Sequence, residues 1–160
     1  MRKLCALLFV LIICISISAC EAPEDKILMS LGEYNSNVYY TQGEFQDYTD
    51  YAKYYYDSVD FAENEYFNKI QEADLTDINE HLDDFEMWIE TYRENDSSRE
   101  IVVNYDFDRN IIDNDDYFYI DSETFTTDWD DGTTTTTLAN YNVYFFDTQT
   151  QILYYFHNNI

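Results

Sequence analysis

The amino-acid sequence predicts an α+β domain: an N-terminal αα-hairpin followed by an antiparallel β-meander of about four strands, with the helices packed on one sheet face. Three observations predict it. Apolar residues recur at helical spacing over 45–93, the period changes to two from residue 100, and no helical pattern separates the later strands. The last point argues against a parallel βαβ sheet.

Over 45–71 the spacing predicts the first helix. Phe45, Tyr48, Ala52, Tyr55, Val59, Ala62, Tyr66 and Ile70 are spaced 3,4,3,4,3,4,4, and Tyr51, Tyr54 and Phe61 broaden the stripe. Tyrosine is a mediocre helix former, so this helix would depend on packing more than on propensity. Over 75–93 the pattern repeats: Leu75, Ile78, Leu82, Phe85, Ile89 and Tyr92 are spaced 3,4,3,4,3. Asp74 is placed to cap this helix, and Asp77 and Glu80 suit the positive end of its dipole. The short link Glu72-Ala73-Asp74 makes the two helices antiparallel neighbours. Residues 94–99, ENDSSR, break the pattern.

Ile101, Val103, Tyr105 and Phe107 alternate with Asn104, Asp106 and Asp108, which reads as a strand with one buried face. Asn114-Asp115-Asp116 is a turn signal. Residues 117–121 form a second strand, with Phe118 and Ile120 opposite Tyr117 and Tyr119. Asp130-Asp131-Gly132 is a further turn signal, and Thr133–Thr137 suits an exposed strand. Residues 138–146 and 151–157 flank the polar turn 147–150 as a final hairpin.

Upstream, residues 21–44 lack sustained periodicity and read as a tether, with Val38-Tyr39-Tyr40 as a stretch able to dock on the domain. Before them, Arg2 and Lys3 precede an uncharged apolar run from Leu4 to Ile15, then small residues and Ile17-Ser18-Ala19-Cys20. The run is shorter than the roughly 20 residues a membrane span needs. It fits the apolar region of a secretory signal, about 7–15 residues. The stretch resembles the lipobox signal of bacterial lipoproteins, with Ile17 where leucine is usual. That resemblance implies cleavage before Cys20, diacylation of Cys20 and attachment to the cell membrane on its extracytoplasmic side. Two acyl chains make a stable anchor where one is marginal. The expected organisation is a signal peptide over 1–19, a lipid-anchored tether over 20–44 and one α+β domain over 45–160.

The chain carries 33 acidic and 8 basic residues, a formal charge of −25. Loss of Arg2 and Lys3 with the signal takes the balance to −27. Such a charge excludes nucleic acid as a partner, because binding there rests on Lys and Arg contacts to phosphate. It favours cationic partners and also keeps a surface soluble. With 17 Tyr, 11 Phe and 2 Trp, the chain has far more aromatic area than a disordered acidic segment. Its three cysteines are Cys5, Cys14 and Cys20. None remains for a disulfide or a zinc site once the signal leaves and Cys20 carries lipid.

No motif asks for a cofactor. Asp106-Phe-Asp108 opens like a calcium loop, but Ile111 and Tyr117 stand where Gly and Glu are required. An irregular, weak cation site at Asp113, Asp115 and Asp116 is the remaining metal candidate. His81 and His157, the two histidines, read as ordinary, partly exposed residues, and no nucleophile motif accompanies them. No catalytic residue is assigned. The informative surplus is aromatic. Tyr117 and Tyr119 lie on the face away from the helices, and the final hairpin is aromatic on both sides, including Tyr144 and Tyr155. With Trp129 beside its turn, these are the candidate contacts for a partner. Residues 27–40 are the segment available to fold back over that face. The expected function is non-enzymatic: a lipid-anchored domain binding a protein or peptide, cationic by preference, through an aromatic sheet face. The alternatives are a carboxylate-dependent hydrolase, for instance on cell-wall glycans, and a divalent-cation-binding surface protein.

Overall fold

The computed structural model of the protein describes residues 25–44 and 47–159. The signal stretch, Cys20 and Phe45 lie outside them. The chain divides into two units, Met1–Ser30 and Leu31–Ile160. In the first, Asp25 caps one helical turn, α1 (Lys26–Met29), accepting hydrogen bonds from the Ile27 and Leu28 N–H groups at 2.9 and 3.2 Å.

The second unit is built on a six-stranded antiparallel sheet, and this overturns the expected N-terminal αα-hairpin. Strands β1 (Ser36–Glu44) and β2 (Asp47–Tyr55) form a hairpin where the tether's end and the first helix are predicted. A two-residue β3 (Asn68–Lys69), a long helix α2 (Leu75–Asn95) and a short helix α3 (Glu100–Asn104) follow. A 3-10 turn (Arg109–Ile111) leads into β4 (Tyr117–Asp128), β5 (Thr134–Asp147) and β6 (Ile152–Asn159). The strand order is β1-β2-β6-β5-β4-β3. β6 therefore lies between β2 and β5 and joins the N-terminal hairpin to the C-terminal meander.

Two physical facts explain the missing first helix. Thr49, Asp50, Tyr51 and Ala52 are all buried, so β2 is covered on both faces. A strand of that kind shows no apolar–polar alternation. Tyrosine at 48, 51, 54 and 55 then fits a helical stripe as readily as a strand, although tyrosine itself favours strands. The strand predicted over 101–108 fails for the converse reason. Ile101 and Val102 are both buried while Val103 is 65% exposed, which is the burial of a short helix and not an alternation.

Helix α2 follows its predicted stripe, burying Ile78, Leu82, Phe85 and Ile89 against the sheet's first face. Each such side chain contributes about 1.5–3 kcal/mol by leaving water. Asp74 stands at the N-cap position but does not cap with its side chain; its carboxylate accepts from the Gln71 N–H at 2.8 Å. Tyr51, Phe118, Tyr141, Val143, Phe145 and Phe156 meet the helix from the sheet. At the end of β1, a Cβ on Gly43 would collide with the Asp47 carbonyl oxygen, so the approach of β1 to β2 there requires glycine.

Candidate functional site

Register places the second sheet face in rows that run across the strands. The row Asn37–Tyr54–Leu153–Phe146–Tyr117 is followed by Tyr39–Ala52–Tyr155–Tyr144–Tyr119. Next comes a polar row, Thr41–Asp50–His157–Asn142–Asp121. Residues 36–40 are part of β1, and Tyr34 before them stands edge-on to Tyr54 at 5.1 Å, at one end of the first row. The cover over the other strands is the β2–β3 connection. Phe61 stacks on Tyr117 with ring centroids 3.9 Å apart and stands edge-on to Phe146 at 5.1 Å. Tyr56 meets Phe146 at 5.8 Å, and Tyr66 meets Tyr119 at 5.9 Å. Phe67 reaches both Tyr119 and Tyr144 at 6.4 Å. Asn64 holds this segment by accepting from the Tyr66 and Phe67 N–H groups.

The candidate contacts therefore separate. Tyr144 is buried, and Tyr117 and Tyr119 are half-buried beneath the connection. Tyr155 is half-buried; its hydroxyl donates to Asn142 Oδ1 at 2.9 Å and its ring lies 4.9 Å from that of Tyr144. These four form a second core. Trp129 stands apart, 57% exposed.

Trp129 belongs to an arm. β6 ends its pairing where Asn159 meets Asn140, but β4 and β5 continue, pairing Thr124–Asp128 with Thr134–Leu138. A bulge between Glu123 and Thr124 marks the start of this two-stranded ribbon. The turn at its tip is closed by bonds from Trp129 N–H to Thr133 O and from Gly132 N–H to Trp129 O. Asp131 accepts from both Thr133 N–H and Thr133 Oγ1, and these bonds hold its carboxyl below the usual range. Along one side run Phe125, 47% exposed, then Thr127 and Trp129, whose indole N–H donates to Thr135 Oγ1 at 3.1 Å. Asp121, Glu123, Asp128, Asp130 and Asp131 lie on or beside the arm, and no Lys or Arg follows Arg109 in the chain. The arm is thus an aromatic, strongly anionic surface with no internal cation.

Asp113, Asp115 and Asp116 come together, but as a turn stitched by protein donors. Asp116 is fully buried; one oxygen accepts from Asp113 N–H at 2.9 Å and the other from Thr148 N–H at 2.9 Å. Burial holds its carboxyl above the usual range. Asp115 pairs with Lys69 at 2.8 Å, and Gln149 donates to Asp113 at 2.8 Å. Among the described residues no group of three His, Cys, Asp or Glu side chains can hold a metal ion, and no helix is long and apolar enough to cross a membrane.

Both histidines are more buried than their sequence context predicts. His81 lies on the buried face of α2, its Nδ1 2.9 Å from Asp77 O and its ring edge-on to Tyr141. His157, 6% exposed, stands opposite Asp50, 3% exposed, on the second face. The β2–β6 pairing that brings these two together joins residues about a hundred positions apart, so no local pattern reveals it.

A cleft of about 340 Å³ lies between α2 and the root of the arm. The chain matches no known family model, no curated protein and no solved structure.

Proposed function

We propose that the protein is a lipid-anchored, extracytoplasmic binding domain that captures a basic protein or peptide with its hairpin arm. The observation that carries this reading is the arm itself: Phe125 and Trp129 stand exposed among five carboxylates, in a chain with no cation after Arg109. Aromatic rings combine contact area with attraction for Lys and Arg, and uncompensated carboxylates steer such partners. The anchor rests on the lipobox resemblance of Ile17–Cys20. The aromatic sheet face gives way to the arm in this reading because the β2–β3 connection packs on that face.

Two changes test it in the full chain. Cys20→Ser should leave the protein unprocessed or released from the membrane on fractionation; a processed, membrane-bound variant removes the anchor. Phe125→Ser with Trp129→Ser should weaken binding of a fluorescein-labelled Lys-Gly decapeptide by about tenfold, the loss of roughly 1.4 kcal/mol. Titrations with the full chain in uncharged detergent measure this, and an unchanged affinity counts against the arm.

A further inference from the structure

The cleft at the root of the arm joins aliphatic side chains to a row of carboxylates. Met87, 52% exposed on α2, faces Leu138 of β5 across it. Glu80, Asp83 and Asp84 rise along the helix side. Their commitments differ. Asp84 accepts from the Tyr141 hydroxyl at 2.9 Å, and Asp83 pairs with Arg109 at 2.7 Å. The Glu80 carboxylate has no hydrogen bond or ion pair among the described residues, and the residue is exposed.

This combination selects its occupant. An anion is repelled by three carboxylates. A divalent metal ion wants six or more oxygen ligands in a tight shell, and no three acidic or histidine side chains among the described residues converge to provide them. A wholly apolar ligand would bury carboxylates without compensation. A long basic side chain meets each condition, since its methylene stem packs on apolar surface while its charged head stays among carboxylates. The cleft, about 340 Å³, has room for such a side chain.

We infer that this cleft seats a lysine or arginine side chain of the basic partner. The inference rests on the proposed capture of a basic partner, and it adds the specificity site that the arm by itself lacks. A diffuse anionic field rewards charge alone; a cleft with aliphatic side chains rewards the stem as well.

The test compares two labelled decapeptides of equal charge with the full chain in uncharged detergent at pH 6. One alternates Lys with Gly; the other replaces each Lys by diaminobutyrate, which lacks two methylenes and stays protonated at this pH. The Lys peptide should bind about tenfold more tightly, within the limit that burying two methylenes sets. Met87→Ala should erase that preference, and Glu80→Gln should weaken Lys-peptide binding by about fivefold. Both positions are exposed, so the fold survives either change; melting curves verify it. Equal affinity for the two peptides, unmoved by Met87→Ala and Glu80→Gln, overturns the cleft while leaving the arm standing if Phe125→Ser with Trp129→Ser still weakens binding. Failure of both peptides to bind at low salt overturns both readings.

Discussion

His157 Nδ1 lies 2.8 Å from the Tyr141 carbonyl oxygen, so that nitrogen carries the proton and donates. Nε2 is buried without a hydrogen-bond partner, as is Asp50 Oδ1 on the adjoining strand. The Tyr48 ring, 4.9 Å away, and the parallel Tyr155 ring wall the site. Burial lowers the imidazole below its ordinary value of 6.5, and it outweighs the attraction of Asp50 and the bond to Tyr141, which act the other way. A histidine kept neutral by folding binds its proton more readily in the unfolded chain. The native state is therefore fully favoured above about pH 6.5, and this contribution is lost as pH falls towards the folded value. His157→Gln should flatten the loss of stability between about pH 6.5 and pH 5, measured as urea midpoints at half-unit steps. An unchanged slope would mean that the folded imidazole titrates like a free one. Asp106 shows the opposite balance: burial would raise it, but the bonds from Lys53 and Tyr51 prevail and hold its carboxyl low.

At the scale of elements, the β2–β3 connection lies where the end of the first helix is predicted and covers the sheet's second face. It lacks regular structure, yet Tyr56 and Phe67 are buried and Phe61 packs between Tyr117 and Phe146. Full truncation of a buried Phe costs about 3–5 kcal/mol. Phe61 is half-buried, so Phe61→Ala should cost about 2 kcal/mol, read from the urea midpoint of the full chain. The matched change on the arm, Phe125→Ala, removes an equal side chain from solvent and should stay within about 0.5 kcal/mol. Equal costs would mean that the connection does not seal the second face. This element was hidden in the sequence because Val59, Ala62 and Tyr66 fall at helical spacing, with Phe61 beside them, so the connection reads as the end of a helix. Helix α2 was legible because it buries a single face, and period 3.6 then survives in the residue pattern.

For the whole molecule, charge dominates. A net −25 repels itself in any compact state, and added salt screens that repulsion. Raising NaCl from about 10 mM to about 150 mM shortens the screening length from roughly 30 to roughly 8 Å. The melting temperature of the full chain should rise across that range. Calcium at matched ionic strength should add no saturable step, because protein donors already engage the carboxylates of Asp113, Asp115 and Asp116. A saturable calcium-specific rise would restore them as a cation site. The same field makes capture of a basic peptide salt-sensitive, whereas the stem contribution in the cleft persists at high salt, since burial of methylenes does not depend on screening.

What the sequence determined by itself is local or additive. Net charge and the lack of cations after Arg109 are sums over residues. The stripe of α2, the Asp147–Thr150 turn and the alternation of Tyr117–Ile120 are patterns of neighbouring side chains. Tertiary structure decided whatever depends on pairing across the chain. It set β6 between β2 and β5, placed Asp50 beside His157, laid residues 56–67 over the second face and opened a cleft between α2 and β5. In a chain with 17 tyrosines these choices leave little local trace. A tyrosine reads the same whether it is buried under a loop or exposed on an arm, and only the register of distant strands distinguishes the two.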